Sequence, residues 1–106
     1  MICVPIVGAS MPKALDQIAA AEKVADILEL RLDLINSFNL NVLLKAVTKP
    51  VIVTNRSKLD GGQFKGNDEE RLQALRDALA AGANYVDIEV STPREYLHPF
   101  LEGYET

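Results

Sequence analysis

Residues 50–62 read PVIVTNRSKLDGG. Val51, Ile52 and Val53 form a run of β-branched residues behind a proline, the composition of a buried strand, and the pattern predicts a strand over 51–56. Its exit is unusual. Arg56 stands at the strand's C-terminal end, and Asp60, Gly61 and Gly62 lie in the loop directly beyond it, SKLDGGQFKG. Asp-Gly and Gly-Gly are ordinary turn formers. Glycines also let backbone approach a ligand closely or adopt positive φ, so the loop is either a plain turn or the rim of a site.

Working outward, NDEERLQALRDALAAG (67–82) reads as a helix. Asn67 and Glu70 have the spacing of a capping box, acids fill the first turn, and Gly82 sits where a helix stops. NYVDIEV (84–90) reads as a strand, and STPREYLH opens a further helix with Thr92, Pro93 and Glu95 as start signals. Pro99 is expected to end or kink it.

Upstream, DILELRLDL (26–34) alternates leucine with charge, the period of a strand, and SFNLNVLLKAV reads as a helix with Leu40, Leu43, Leu44 and Val47 on one stripe. The chain opens with an apolar run, ICVPIV (2–7). A helix with Ser10 as N-cap and Pro12 in its first turn follows, its face formed by Leu15, Ile18, Ala21 and Val24. The order is β-α-β-α-β-α-β-α: one α/β domain over residues 1–106 with a parallel sheet.

Composition agrees with one packed domain. The 106 residues are 48% hydrophobic and 25% charged. The net charge of −4 and the lack of a basic stripe argue against a nucleic-acid partner. No apolar run approaches the ~20 residues that span a bilayer, and MICVPIVGAS has no basic segment of a signal peptide. Cys3 is the single cysteine, so no internal disulfide is expected; this fits a reducing, cytoplasmic setting.

Strands of a parallel sheet are usually apolar on both faces. Two strands here are not. Glu29, Arg31 and Asp33 share one face, as do Asp87 and Glu89, and the third strand adds Thr54 and Arg56. Alternation alone fits a sheet with one wet face. It equally fits a closed barrel whose leucines pack outward onto helices while charges line the mouth, where such barrels gather functional groups. Arg31 and Arg56 can pair with the four acids, and arginine forks suit an anionic ligand.

ELRLDLI, PVIVTNRSKLDGGQFKG and GANYVDIEV together resemble the type I 3-dehydroquinate dehydratases, and ICVPI is similar to that family's first strand. The resemblance implies a (β/α)8 TIM barrel of which this chain is the N-terminal half, four βα units. It implies dehydration of 3-dehydroquinate to 3-dehydroshikimate in the shikimate pathway, through a lysine Schiff base and a histidine that moves the protons, with no metal or other cofactor. Carried over by position, Glu29, Arg31 and Arg56 are substrate-binding. Asp60 stands where an acid orients the histidine, with a side chain shorter than the glutamate often found there. Asp87 and Glu89 are assigned mainly to internal ion pairs.

The family's chain is about twice this length, with its histidine and lysine on the next two strands. His98 falls in the last helix and is expected at the surface. Lys13, Lys23, Lys45, Lys49, Lys58 and Lys65 all fall in helices, turns or loops, so none is expected to be the nucleophile. The isolated chain is expected to be inactive. Four strands leave open edges and an uncovered inner face, so a homo-oligomer or association with a C-terminal half is expected. The alternative is a non-catalytic module that binds a small polyhydroxy carboxylate, or one that complements a C-terminal half.

Overall fold

The computed structural model describes residues 1–89 and 91–102. Four strands, β1 (Cys3–Ile6), β2 (Ile27–Arg31), β3 (Val51–Thr54) and β4 (Tyr85–Asp87), alternate with four helices. The helices are α1 (Met11–Ala21), α2 (Leu40–Ala46), α3 (Asp68–Ala80) and α4 (Arg94–Glu102). The strands lie in sequence order and every neighbouring pair is parallel. The expected α/β order and parallel sheet are therefore both present.

The register sorts the side chains into two faces. Val4, Leu28 and Val51 form one row, and Ile6, Leu30, Val53 and Val86 the next. These pack with Ala14, Ile18, Leu43, Leu72, Leu75, Ala78 and Phe100 from the helices into one apolar core. The opposite face carries the other row set: Pro5, Glu29, Ile52 and Tyr85, then Arg31, Thr54 and Asp87. Ile27 and Ile52 are half-buried and stand apart from that core. All helices thus cover one face, and the charged face is the open one.

Local signals explain the element ends. Ser10 and Asn39 cap α1 and α2 by accepting from Lys13 and Val42 N–H. Asn67 and Glu70 close the capping box of α3 in both directions. Gly82 follows α3 at φ +111°, where an L side chain would be strained.

Several expected boundaries are corrected. β2 stops at Arg31, and Leu32–Leu34 make a single 3₁₀ turn, so Asp33 leaves the strand face. The turn folds its carboxylate back onto Arg31, an anchor that a continued strand would forfeit. β3 stops at Thr54; Asn55 turns inward and its side chain reaches the Arg71 carbonyl at 3.5 Å. β4 is the short Tyr85–Asp87, so Glu89 lies beyond it, while Val90 of the expected strand lies outside the described residues. The buried stripe of α1 is Ala14, Ile18 and Ala21, with Leu15 half-buried, whereas Val24 is exposed because the helix has ended before it. Pro99 sits inside α4, which continues to Glu102.

Candidate functional site

The C-terminal strand ends place the charged residues side by side. Arg31, Thr54 and Asp87 are direct cross-strand neighbours. Thr54, fully buried, donates its hydroxyl to Glu29 Oε2 at 2.7 Å, which fixes that carboxylate on the open face. Arg56, just past β3, reaches Asp87 Oδ2 at 3.7 Å. Glu29, Arg31 and Arg56 therefore gather at one rim. Asp87 pairs with Arg56, in keeping with its expected role in ion pairing.

Arg31 is held by Asp33 as a fork: Nε to Oδ1 at 3.1 Å and Nη2 to Oδ2 at 2.8 Å. The fork uses two of the five guanidinium donors, which leaves the Nη1 amine to donate elsewhere. The hydrogen bonds to Asp33 hold the Arg31 guanidinium even more firmly protonated than usual, and the charges of Asp33, Glu29 and Asp87 add to this against the cost of burial. Burial acts against the Asp33 charge. The Arg31 fork and the backbone N–H groups of Gln63 and Arg56 outweigh it, so the carboxyl sits below its ordinary range.

The loop after β3 is built around that anchor. Lys58–Asp60 form a 3₁₀ turn, Gly61 follows at φ +87°, and Gly62 N–H donates to the Ser57 carbonyl at 2.8 Å. A Cβ on Gly62 would lie 2.2 Å from the Arg56 carbonyl oxygen. The two glycines have different reasons: one supplies a left-handed turn, the other lets the loop fold flat on Arg56. Gln63 N–H donates to Asp33 Oδ2 at 3.1 Å and ties the loop to the end of β2.

Asp60 crosses to the next loop. It accepts from Ser57 Oγ at 2.8 Å and from Ser91 Oγ at 2.8 and 2.9 Å. Those two hydroxyls, with the more distant charges of Arg71 and Arg56, hold its carboxyl below the usual range against slight desolvation.

Glu89 takes the expected ion-pairing role with a partner that periodicity did not single out. Arg71 of α3 is 1% exposed and donates to Glu89 Oε2 at 2.5 Å, to Thr92 Oγ1 at 2.9 Å and to Asp68 Oδ1 at 3.3 Å. The available signal was that Arg71 falls on the same helical stripe as Leu75 and Ala78. His98 is 71% exposed, 3.5 Å from Glu102, as expected for a surface residue. Lys58 is exposed on the outer turn of the loop.

The type I 3-dehydroquinase family model matches residues 2–103. The chain belongs to the type I 3-dehydroquinase family. A 3-dehydroquinate dehydratase of Methanothermobacter thermautotrophicus is 40% identical over 98 residues, covering 89% of this chain and 44% of the relative. The bifunctional 3-dehydroquinate dehydratase/shikimate dehydrogenase of Arabidopsis thaliana chloroplasts is 34% identical over 102 residues, 92% of this chain and 17% of the relative. Among solved structures, the type I 3-dehydroquinate dehydratase of Clostridium difficile superposes with a TM-score of 0.85 at 22% identity, over 95% of this chain and 44% of that one. This last likeness speaks to the fold, and it matches the four βα units to the N-terminal part of a 3-dehydroquinase barrel. The chain thus spans less than half the length of these dehydratases. Among the described residues, no helix is long and apolar enough to cross a membrane.

Proposed function

We propose that this chain supplies the substrate-binding wall of a type I 3-dehydroquinate dehydratase, with 3-dehydroquinate held against the open sheet face. The observation that carries the reading is the gathering of Glu29, Arg31 and Arg56 at the strand ends of a 3-dehydroquinase-family chain. The substrate carries a carboxylate and several hydroxyls. The remaining donors of Arg31 and the half-exposed Arg56 suit the carboxylate. Glu29, pre-aimed by Thr54, accepts from a hydroxyl. Asp60 stands at the rim as the acid that orients a histidine.

None of the six lysines belongs to a strand. The Schiff base and the proton transfers therefore need groups brought by further βα units closing the barrel over this face. Pro5, Ile27, Ile52 and Tyr85 give that face an apolar floor, and Tyr85 is 58% exposed. Covering it, by a second copy or by the C-terminal half, buries that floor and completes the strand edges. The lone thiol of Cys3, exposed at the edge strand, suits the reducing cytoplasm.

Calorimetric titration with 3-dehydroquinate tests binding. Saturable heat that disappears in Arg56→Ala supports the reading; equal heat in that variant overturns it. Borohydride trapping should label no lysine of this chain. Dehydration restored only on mixing with a C-terminal half favours the enzyme. Tight binding together with a mixture that stays inert favours the second reading, a binding module without turnover, which the positions of the lysines support.

A further inference from the structure

Arg71 has no task at the substrate-facing rim, yet it touches both loops that form it. Its side chain grips Glu89 and Thr92, and its own carbonyl accepts from Asn55, the residue before Arg56. Thr92 N–H also donates to the Glu89 carbonyl at 3.0 Å, which closes a tight turn. That turn carries Ser91, whose hydroxyl reaches Asp60 across the gap between the loops.

We propose that Arg71 is a positioning residue that fixes the Glu89–Thr92 turn, presents Ser91 to Asp60, and so locks the loop bearing Arg56 and Asp60 to the loop after β4. Its bearing on substrate runs only through Arg56 and Asp60, and to that extent rests on the function proposed above.

A buried guanidinium is costly to desolvate and adds little over an apolar side chain of like volume. Leu72, Leu75 and Ala78 already supply the packing of α3. What Arg71 adds is geometry. One planar fork spans Glu89, Thr92 and Asp68 at fixed angles, which a lysine ammonium cannot reproduce. A plain strut from α3 to the chain just past β4 would need only the Glu89 contact. The Thr92 contact lies next to Ser91, at the end of the turn that faces Asp60.

Amide hydrogen exchange and carboxyl titration by NMR, on the whole chain without ligand, test this in Thr92→Val, Arg71→Lys and Ser91→Ala. Each variant leaves the number of charges unchanged. In Thr92→Val and Arg71→Lys, the Gly62 and Phe64 amides should exchange at least about tenfold faster. Amides of α1 and β2 should keep their wild-type protection, and the Asp60 midpoint should rise as it does in Ser91→Ala. Uniform loosening of all amides in both variants would show a strut and overturn the proposal. An Asp60 midpoint that moves in Ser91→Ala but in neither of the other two would also overturn it. Because no ligand is used, the result stands apart from whether the chain binds 3-dehydroquinate.

Discussion

Asp33 sits two residues after Arg31 and faces it as a fork, with Nε and Nη2 at 3.1 and 2.8 Å from the two carboxylate oxygens. In a continued strand such residues stand side by side, roughly 7 Å apart along the chain. The 3₁₀ turn after β2 brings them face to face. The same carboxylate takes Gln63 N–H, so one buried anion orients the Arg31 guanidinium and pins the loop that follows Arg56.

Asp33→Asn keeps the shape and removes the charge. Loss of the fork should destabilise the chain by about 2 kcal/mol, the usual range for a hydrogen bond to a charged group. Urea unfolding measures it as a lowered midpoint at unchanged slope. Affinity for 3-dehydroquinate should fall together with stability, because Arg31 and the Gln63 loop lose their common anchor. A variant of full stability would show that the fork contributes nothing.

Acid should unfold the chain through the same groups. Asp33 and Asp60 have native pKa values below those of the unfolded chain. Below the ordinary carboxylate pKa of about 3.9 the unfolded state therefore binds more protons than the native one. The stability these groups contribute is present above that value and is lost as pH falls through the lower native values. Stability measured against pH should hold level near neutrality and drop below about pH 4. The drop should be shallower in Asp33→Asn.

Thr54→Val tests the hold on Glu29 with almost no change of shape. The hydroxyl is buried and its bond to Glu29 is 2.7 Å long. Its loss should cost about 1–2 kcal/mol and weaken ligand binding by releasing the carboxylate. Unfolding and calorimetry on the same sample separate the two effects. Unchanged affinity with lowered stability would remove Glu29 from the binding set.

What was legible in the sequence follows from the range of each interaction. Capping is local, so Ser10, Asn39 and Asn67–Glu70 are visible in a few letters, and alternation in ELRLD puts Glu29 and Arg31 on one face. Asp33 escapes that logic. A 3₁₀ turn takes it off the strand face, and its carboxylate also receives the N–H of Gln63, 30 residues away, a link that no strand period encodes. Arg71 is hidden for a similar reason. It occupies an apolar stripe as a charged residue, and its neutralising partner Glu89 is 18 residues on, beyond the end of a strand that the letters extend too far. The family motifs were strong enough to give family and fold together, while the loop-to-loop links at Asp60 and Ser91 depend on folded geometry alone.

Gly61 and Gly62 look interchangeable as letters, but substitution should separate them. At Gly61 an added Cβ meets nothing within 4 Å, and the difficulty is φ +87° alone. Alanine there should cost about 1–2 kcal/mol, and asparagine, which tolerates the left-handed region, less. At Gly62 the Cβ would stand 2.2 Å from the Arg56 carbonyl oxygen and 2.5 Å from its carbon, backbone atoms that cannot swing away. The loop must then lift, breaking the bonds of Gly62 to Ser57 and Phe64 to Arg56. Gly62→Ala should therefore cost about 3 kcal/mol or more, and should displace Arg56 so that ligand binding fails even where the fold survives. Denaturation midpoints of the two alanine variants give the ranking directly. A Gly61→Ala loss equal to or greater than that of Gly62→Ala would mean that the loop does not lie flat against Arg56.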